Sequence, residues 1–335
     1  MNKLFLYTLF ISTSILCCWS CGDNLDIFEP REDITPEPSA DWTNQNTIDV
    51  FANVTAIAER TQQYSINPEV VQRIVTEEQT VITFPANALE TLTGEPITGQ
   101  VDIEVLEIYT KGDMILFGKP TVSAGKLIES AGEFYVSASQ AGRELRLRDG
   151  ATIQFQVQLR TDQPNYDMEV FYGDTDVDGN FTWALGDTSR VFLSEWEIND
   201  SLQQWGFGYE FLSENLDWIN CDAFVGDESL TLTRLCADLP DKYDTSNSVA
   251  FIAFADVNGV LPLHGDAEVE MFCKSNIPVG YEATVVVISK QGEQTDGTPI
   301  LHLGYQDIVV SEDLVINITP TETSIEDIIA FLSGL

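Results

Sequence analysis

The string DTDVDGN sets Asp174, Asp176 and Asp178 at alternate positions ahead of Gly179 and Asn180. Calcium, a hard cation, takes about six to eight oxygen ligands and needs the chain to curl around it, for which a glycine at the tight turn is suited. The spacing therefore points to calcium on Asp174, Asp176, Asp178 and Asn180, with Asp187 as an extra ligand. An EF-hand loop, however, wants a bidentate Glu where Leu185 stands, and its flanks should be helices. Here Glu169–Tyr172 and Phe181–Trp183 read as strands. A hairpin turning at Asp178-Gly179 explains the same residues without a metal.

Catalytic sets are hard to assemble from the rest of the chain. The two histidines, His264 in LPLHGDA and His302 in ILHLGYQ, stand singly and lack metal-ligand spacing. A G-x-S-x-G elbow, a phosphate loop and a dinucleotide fingerprint are all missing. A glycosidase needs only two carboxylates, and 54 acidic residues supply many pairs without singling one out. Aromatic residues crowd the middle, from Phe181, Trp183 and Trp196 to Trp205, Trp218 and Phe224. Exposed, such rings stack on sugars; more commonly they fill a core. A non-enzymatic role is expected, with a carbohydrate-active protein as the alternative, either a glycan-binding module or a two-carboxylate hydrolase.

The N-terminus reads as an export signal that ends in cysteines. Met1-Asn2-Lys3 is a short charged opening, and Leu4 to Cys17 is an apolar run of signal-peptide length, too short to span a bilayer. In LCCWSCGDN only Cys21 follows a small residue, Ser20, and the string resembles a lipobox, the cleavage signal of bacterial lipoproteins. Cys18 and Trp19 depart from its usual residues. Lipidation at Cys21 would anchor the chain to a membrane stably. The acidic GDNLD that follows resembles stretches that send some lipoproteins to the outer face. An outer-membrane lipoprotein at the cell surface is expected, the alternative being a periplasmic or secreted protein.

Cys221, Cys236 and Cys273 remain after Cys21. One disulfide is permitted in an oxidising envelope, and a Cys221–Cys236 loop is one of three possible pairs; small buried thiols are the alternative. Loss of residues 1–20 removes Lys3 and takes the formal charge from -38 to -39 over 315 residues. Such a field repels nucleic acid and anionic headgroups, so the expected partners are a membrane through the lipid and an envelope protein or glycan.

Elements that would position these residues are mostly strands. Ile153, Phe155, Val157 and Leu159 alternate with Thr152, Gln154, Gln156 and Gln158, which describes one buried and one wet face. Val101, Ile103 and Val105 alternate likewise until Leu106 and Ile108 shift the phase, as a bulge would. Turn signals at Gly112, Gly125, Gly142 and Gly150 lie 8 to 17 residues apart. Further strands are expected at 230–233, 249–254, 267–273, 283–288 and 314–318, with turns at Asn258-Gly259 and Asp296-Gly297. A final helix carries Ile325, Ile328, Ile329 and Leu332 on one face, with Thr323 and Glu326 as a capping box.

The string VITFPANAL, Val81 to Leu89, followed by TGQVDIEVLEI, is similar to the start of ZU5-like β domains. KLIESAGEFYVSA and LDWINCDAF resemble uncharacterised surface lipoproteins of Bacteroidota-type bacteria, and together these segments cover about a third of the chain. Some ZU5-containing proteins carry a module that cleaves itself at His-Phe-Ser, and neither His264 nor His302 has those neighbours. The expected organisation is a signal peptide over 1–20, a flexible acidic tether over 21–46, and two antiparallel β-sandwich domains, a ZU5-like one over 47–210 and a second over 211–335 ending in the short helix. The fold class expected is all-β.

Overall fold

Alternation along Ile153–Gln158 does what its pattern predicts. In the computed structural model Ile153, Phe155 and Val157 are fully buried while the glutamines between them keep partial exposure. The structure describes residue 42 and residues 60–177, 179–199, 202–226 and 229–335. The expected signal peptide, Cys21, Asp178 and the expected tether apart from Trp42 lie outside the described residues. No helix among those described is long and apolar enough to cross a membrane.

The first half opens with β1 (Gln62–Ile66), β2 (Gln72–Val75), β3 (Val81–Phe84), β4 (Leu89–Thr91) and β5 (Val101–Ile108). Helix α1 (Lys111–Leu116) leads into β6 (Val122–Ser123), β7 (Lys126–Gln140), β8 (Arg143–Leu147) and β9 (Ile153–Gln158). Then come β10 (Glu169–Thr175), β11 (Phe181–Arg190), β12 (Phe192–Asn199), β13 (Gln204–Ser213) and β14 (Asp217–Phe224). The second half holds β15 (Leu232–Asp238), β16 (Ser248–Phe254), β17 (Val260–Asp266), β18 (Met271–Pro278) and β19 (Glu282–Glu293). It ends with β20 (Pro299–Val309), β21 (Leu314–Asn317), β22 (Thr321–Thr323) and α2 (Ile325–Leu332).

The fold is all-β and sandwich-like with a short C-terminal helix. One sheet runs β1-β5-β7-β14-β10-β11, with β4, β6 and β8 attached at its margin, and a second runs β12-β13-β9-β3-β2. Their facing residues, among them Phe84, Ile103, Phe134, Phe155 and Phe211, close the first core. In the second half a single sheet, β21-β15-β18-β17-β16-β19-β20-β22, folds over its own core. All its pairs are antiparallel except β15 with β21.

A third cluster joins the halves. Leu106 and Ile108 of β5 and Met114 and Ile115 of α1 pack with Val249 and Phe251 of β16, Val286 and Ile288 of β19, and Ile328 and Leu332 of α2. This explains the phase shift in β5, because Ile103 and Val105 serve the first core while Leu106 and Ile108 serve the shared one. No bulge is needed; the register of β5 with β7 runs unbroken from Asp102–Ser139 to Ile108–Glu133. β16 is buried along its whole length for the same reason, having a core on each face.

Four expectations are corrected here. The boundary at 210/211 falls inside β13, and β14 is central to the first sheet, since Tyr209, Phe211, Ile219 and Cys221 all point into the first core. The chain therefore leaves the first half after Phe224. Trp42, placed in the tether, is buried with its ring edge-on to Phe272 at 5.2 Å, an indole having too much apolar area to leave in water. Gly112 lies in α1 rather than in a turn. The cap of α2 is Ser324, whose hydroxyl accepts the Asp327 N–H at 3.1 Å, one position later than the Thr323–Glu326 box.

Candidate functional site

The DTDVDGN segment closes the hairpin of β10 and β11, in which Asp174 pairs with Thr182 and Thr175 with Phe181. Gly179 takes a φ of +86°, the left-handed region such a turn requires. Asp176 helps to hold this turn. Its N–H donates to Asn180 O at 2.9 Å, and its carboxylate accepts the Asn180 N–H at 2.8 Å. Asp174 accepts the N–H of its neighbour Thr175 at 2.7 Å, and Asp187 stands exposed on β11. Among the described residues no three His, Cys, Asp or Glu side chains gather into a metal-holding group.

The turn leans on the second half, and there two of the singled-out motifs meet. Asp176 and Asn180 share a pocket of about 480 Å³ with His264 of β17 and Lys274 of β18, walled on its apolar side by Phe181, Trp183 and Phe224. An adjoining pocket of about 340 Å³ adds Arg234 and Asp266, which form an ion pair. Asn180 is 6 % exposed; its amide nitrogen reaches the Asp176 carboxylate, and its Oδ1 has no partner. Burial pushes the Lys274 ammonium below its usual range, while the charge of Asp176 opposes the shift. An unpaired amide acceptor, a desolvated amine and an aromatic wall suit recognition of a polar ligand that has an apolar face.

Sequence reasoning missed Lys274, Arg234 and Asp266. A lysine inside the strand MFCKSNIP, in a chain with only 16 basic residues, was the available signal. His302 is engaged elsewhere, its Nδ1 lying 2.9 Å from the hydroxyl of the buried Tyr243.

The disulfide joins Cys236 and Cys273, not Cys221 and Cys236. Cys236 and Cys273 face each other directly on the neighbouring strands β15 and β18, whereas Cys221 of β14 is buried in the first core as a free thiol.

A second opening, a groove of about 670 Å³, runs along β7, β8 and β14. Tyr135, Tyr172 and Trp218 line it together with Glu144, Arg146, Glu214 and Asp217. Lys119 lies over Trp218, its Nζ 4.5 Å from the centre of that ring and 4.0 Å from the centre of the Phe181 ring. Of the tryptophans in the aromatic run, Trp183 and Trp196 are buried and Trp205 is 65 % exposed. No family model matches the chain, and no curated protein matches it either.

Proposed function

We propose that this chain is an exported lipoprotein, lipid-modified at Cys21 and displayed on the outer membrane, and that it acts by binding an envelope partner rather than by catalysis. The observation that carries the binding role is the pocket beside the β10–β11 turn. There a buried Asn180 oxygen without a partner, the desolvated Lys274 and an aromatic wall converge. Unpaired buried polar atoms cost free energy, about 1–3 kcal/mol each, and a ligand that supplies the missing bond recovers it.

A photo-crosslinking residue at Leu185, which borders this pocket and is exposed, tests the reading in intact cells. A defined crosslink that disappears in Lys274→Ala is expected. The same crosslink persisting in that variant removes the pocket from the proposal. Mass spectrometry of the mature N-terminus tests the anchor separately, an unmodified residue there ruling it out.

A carbohydrate ligand is the second reading, favoured by the exposed Trp205 and by the groove with Tyr135, Tyr172 and Trp218 beside charged side chains. Aromatic faces take the apolar side of a sugar ring while such charges bond its hydroxyls. A glycan array combined with a polysaccharide hydrolysis screen decides it, and silence in both removes it.

A further inference from the structure

On β14 the residues Ile219, Cys221 and Ala223 face the first core, so Asn220 and Asp222 point out of that sheet toward the second half. Asn220 lies opposite Glu133 of β7, and Asp222 lies opposite Ser130. None of these side chains reaches solvent: Glu133, Asn220 and Asp222 are 0 % exposed and Ser130 is 4 % exposed. The second half closes over them through Asn258. Its amide donates to the main-chain oxygens of Ser130 and Tyr109 at 2.8 and 3.0 Å, and its own carbonyl accepts the Ser130 N–H at 2.9 Å.

The neutral members of this group are well bonded. Ser130 Oγ donates to Asn220 Oδ1 at 2.9 Å, and Asn220 Nδ2 donates to Asp222 Oδ2 at 2.5 Å. The carboxylates are not. Both oxygens of Glu133 and Oδ1 of Asp222 have no partner. Lys119, whose charge reaches Glu133, holds its ammonium against the rings of Phe181 and Trp218 instead. Two buried acids with three bare oxygens are costly to hold ionised, and a positive charge between them removes that cost.

We propose that Glu133 and Asp222, with Asn220 and Ser130 beside them, bind a calcium ion that ties the first sheet to the second half of the fold. Every donor in the group is oxygen, which selects a hard cation over zinc or copper. Magnesium dehydrates reluctantly and demands near-ideal octahedral geometry, whereas calcium accepts the irregular set that side chains fixed on two strands present. A divalent charge also balances the two carboxylates. This site is separate from the DTDVDGN turn, where Asp174 and Asp176 each accept a main-chain N–H.

Calorimetry on the full chain, stripped with a chelator and titrated with calcium and in parallel with magnesium, tests the site. One calcium per chain and a rise in melting temperature are expected, with magnesium weaker. The double variant Glu133→Gln, Asp222→Asn should lower the calcium affinity at least about tenfold, because ligand charge sets that affinity. Asp176→Asn should leave it unchanged. Calcium binding that survives the double variant, that is lost in Asp176→Asn, or that is absent from the wild-type chain at millimolar calcium overturns the proposal. Should the double variant not fold, terbium on the wild-type chain gives an independent reading. Trp218 lies two residues from Asn220 on the same face of β14, so tryptophan excitation should give terbium emission that calcium displaces and that Trp218→Phe weakens. Emission absent, or unchanged in Trp218→Phe, counts against the site.

Discussion

Glu210 shows how a single side chain on a wet sheet face acquires a defined protonation state. It points away from the first core, where Gln156 and Gln154 donate to its two oxygens at 2.8 and 2.9 Å and Ser194 adds a bond at 2.7 Å. Burial acts to raise its pKa, but the bonds from Gln156, Ser194 and Gln154 together outweigh it and hold the carboxyl below its usual range. A carboxyl depressed in the folded state stabilises the fold above its unfolded pKa of about 4.3, and that contribution is lost as pH falls through the folded value. Glu210→Gln should therefore cost on the order of 1 kcal/mol at neutral pH, and the gap from wild type should shrink as the pH is lowered toward 3. Urea midpoints measured across that range check it; two parallel curves would rule the cradle out as a source of stability. The glutamines were legible as a polar face because alternation along one strand reveals it. Their acceptor was not, because Glu210 comes from another strand, 54 and 56 residues away. Glu133, Asn220 and Asp222 were hidden for a related reason. They occupy the outward face of a sheet, and only the packing of the second half turns that face into an interior.

At the level of elements, periodicity revealed strands wherever one face alone is buried and misled wherever both are. β9 came through intact, while β5 looked like a bulged strand since it changes core midway. Cysteine pairing lay beyond the sequence altogether, as it depends on which strands become neighbours. Cys236 and Cys273 sit at matched positions of β15 and β18, 37 residues apart in the chain. A loop of that length corresponds on the chain-entropy model to about 3–4 kcal/mol. Reduction of the protein should lower its stability by that amount. Cys221→Ala, which only trims a small buried side chain, should cost roughly 1 kcal/mol and leave the sensitivity to reductant in place. Denaturant titrations with and without reductant distinguish the two. Thiol labelling read by peptide mapping adds a second check: the buried Cys221 should be labelled only after unfolding, and its labelling in the native protein would contradict its placement.

Across the whole molecule the decisive feature is the core that belongs to neither half. Expected as two separate sandwiches, the described residues from Trp42 onward instead fall within one compact unit, because β5 and α1 of the first half share apolar neighbours with β16, β19 and α2. The approach of the two helices is close enough to require a glycine: a Cβ on Gly112 would stand 2.1 Å from the carbonyl oxygen of Leu332. Leu332 is 2 % exposed and lies at the far end of the chain, yet its packing involves residues of both halves. Truncating a buried leucine to alanine costs about 2–5 kcal/mol, and the cost falls on whatever unfolds together. The native fluorescence reports mainly on the first half, since Trp183, Trp196, Trp205 and Trp218 lie on its strands, although Trp218 borders the shared core, and Trp42 is the one described tryptophan in the second core. If the shared core makes unfolding a single event, Leu332→Ala should shift the fluorescence transition and the circular-dichroism transition by the same amount. Independent halves would behave differently, the fluorescence midpoint staying where it is in the wild type while the circular-dichroism curve splits in two.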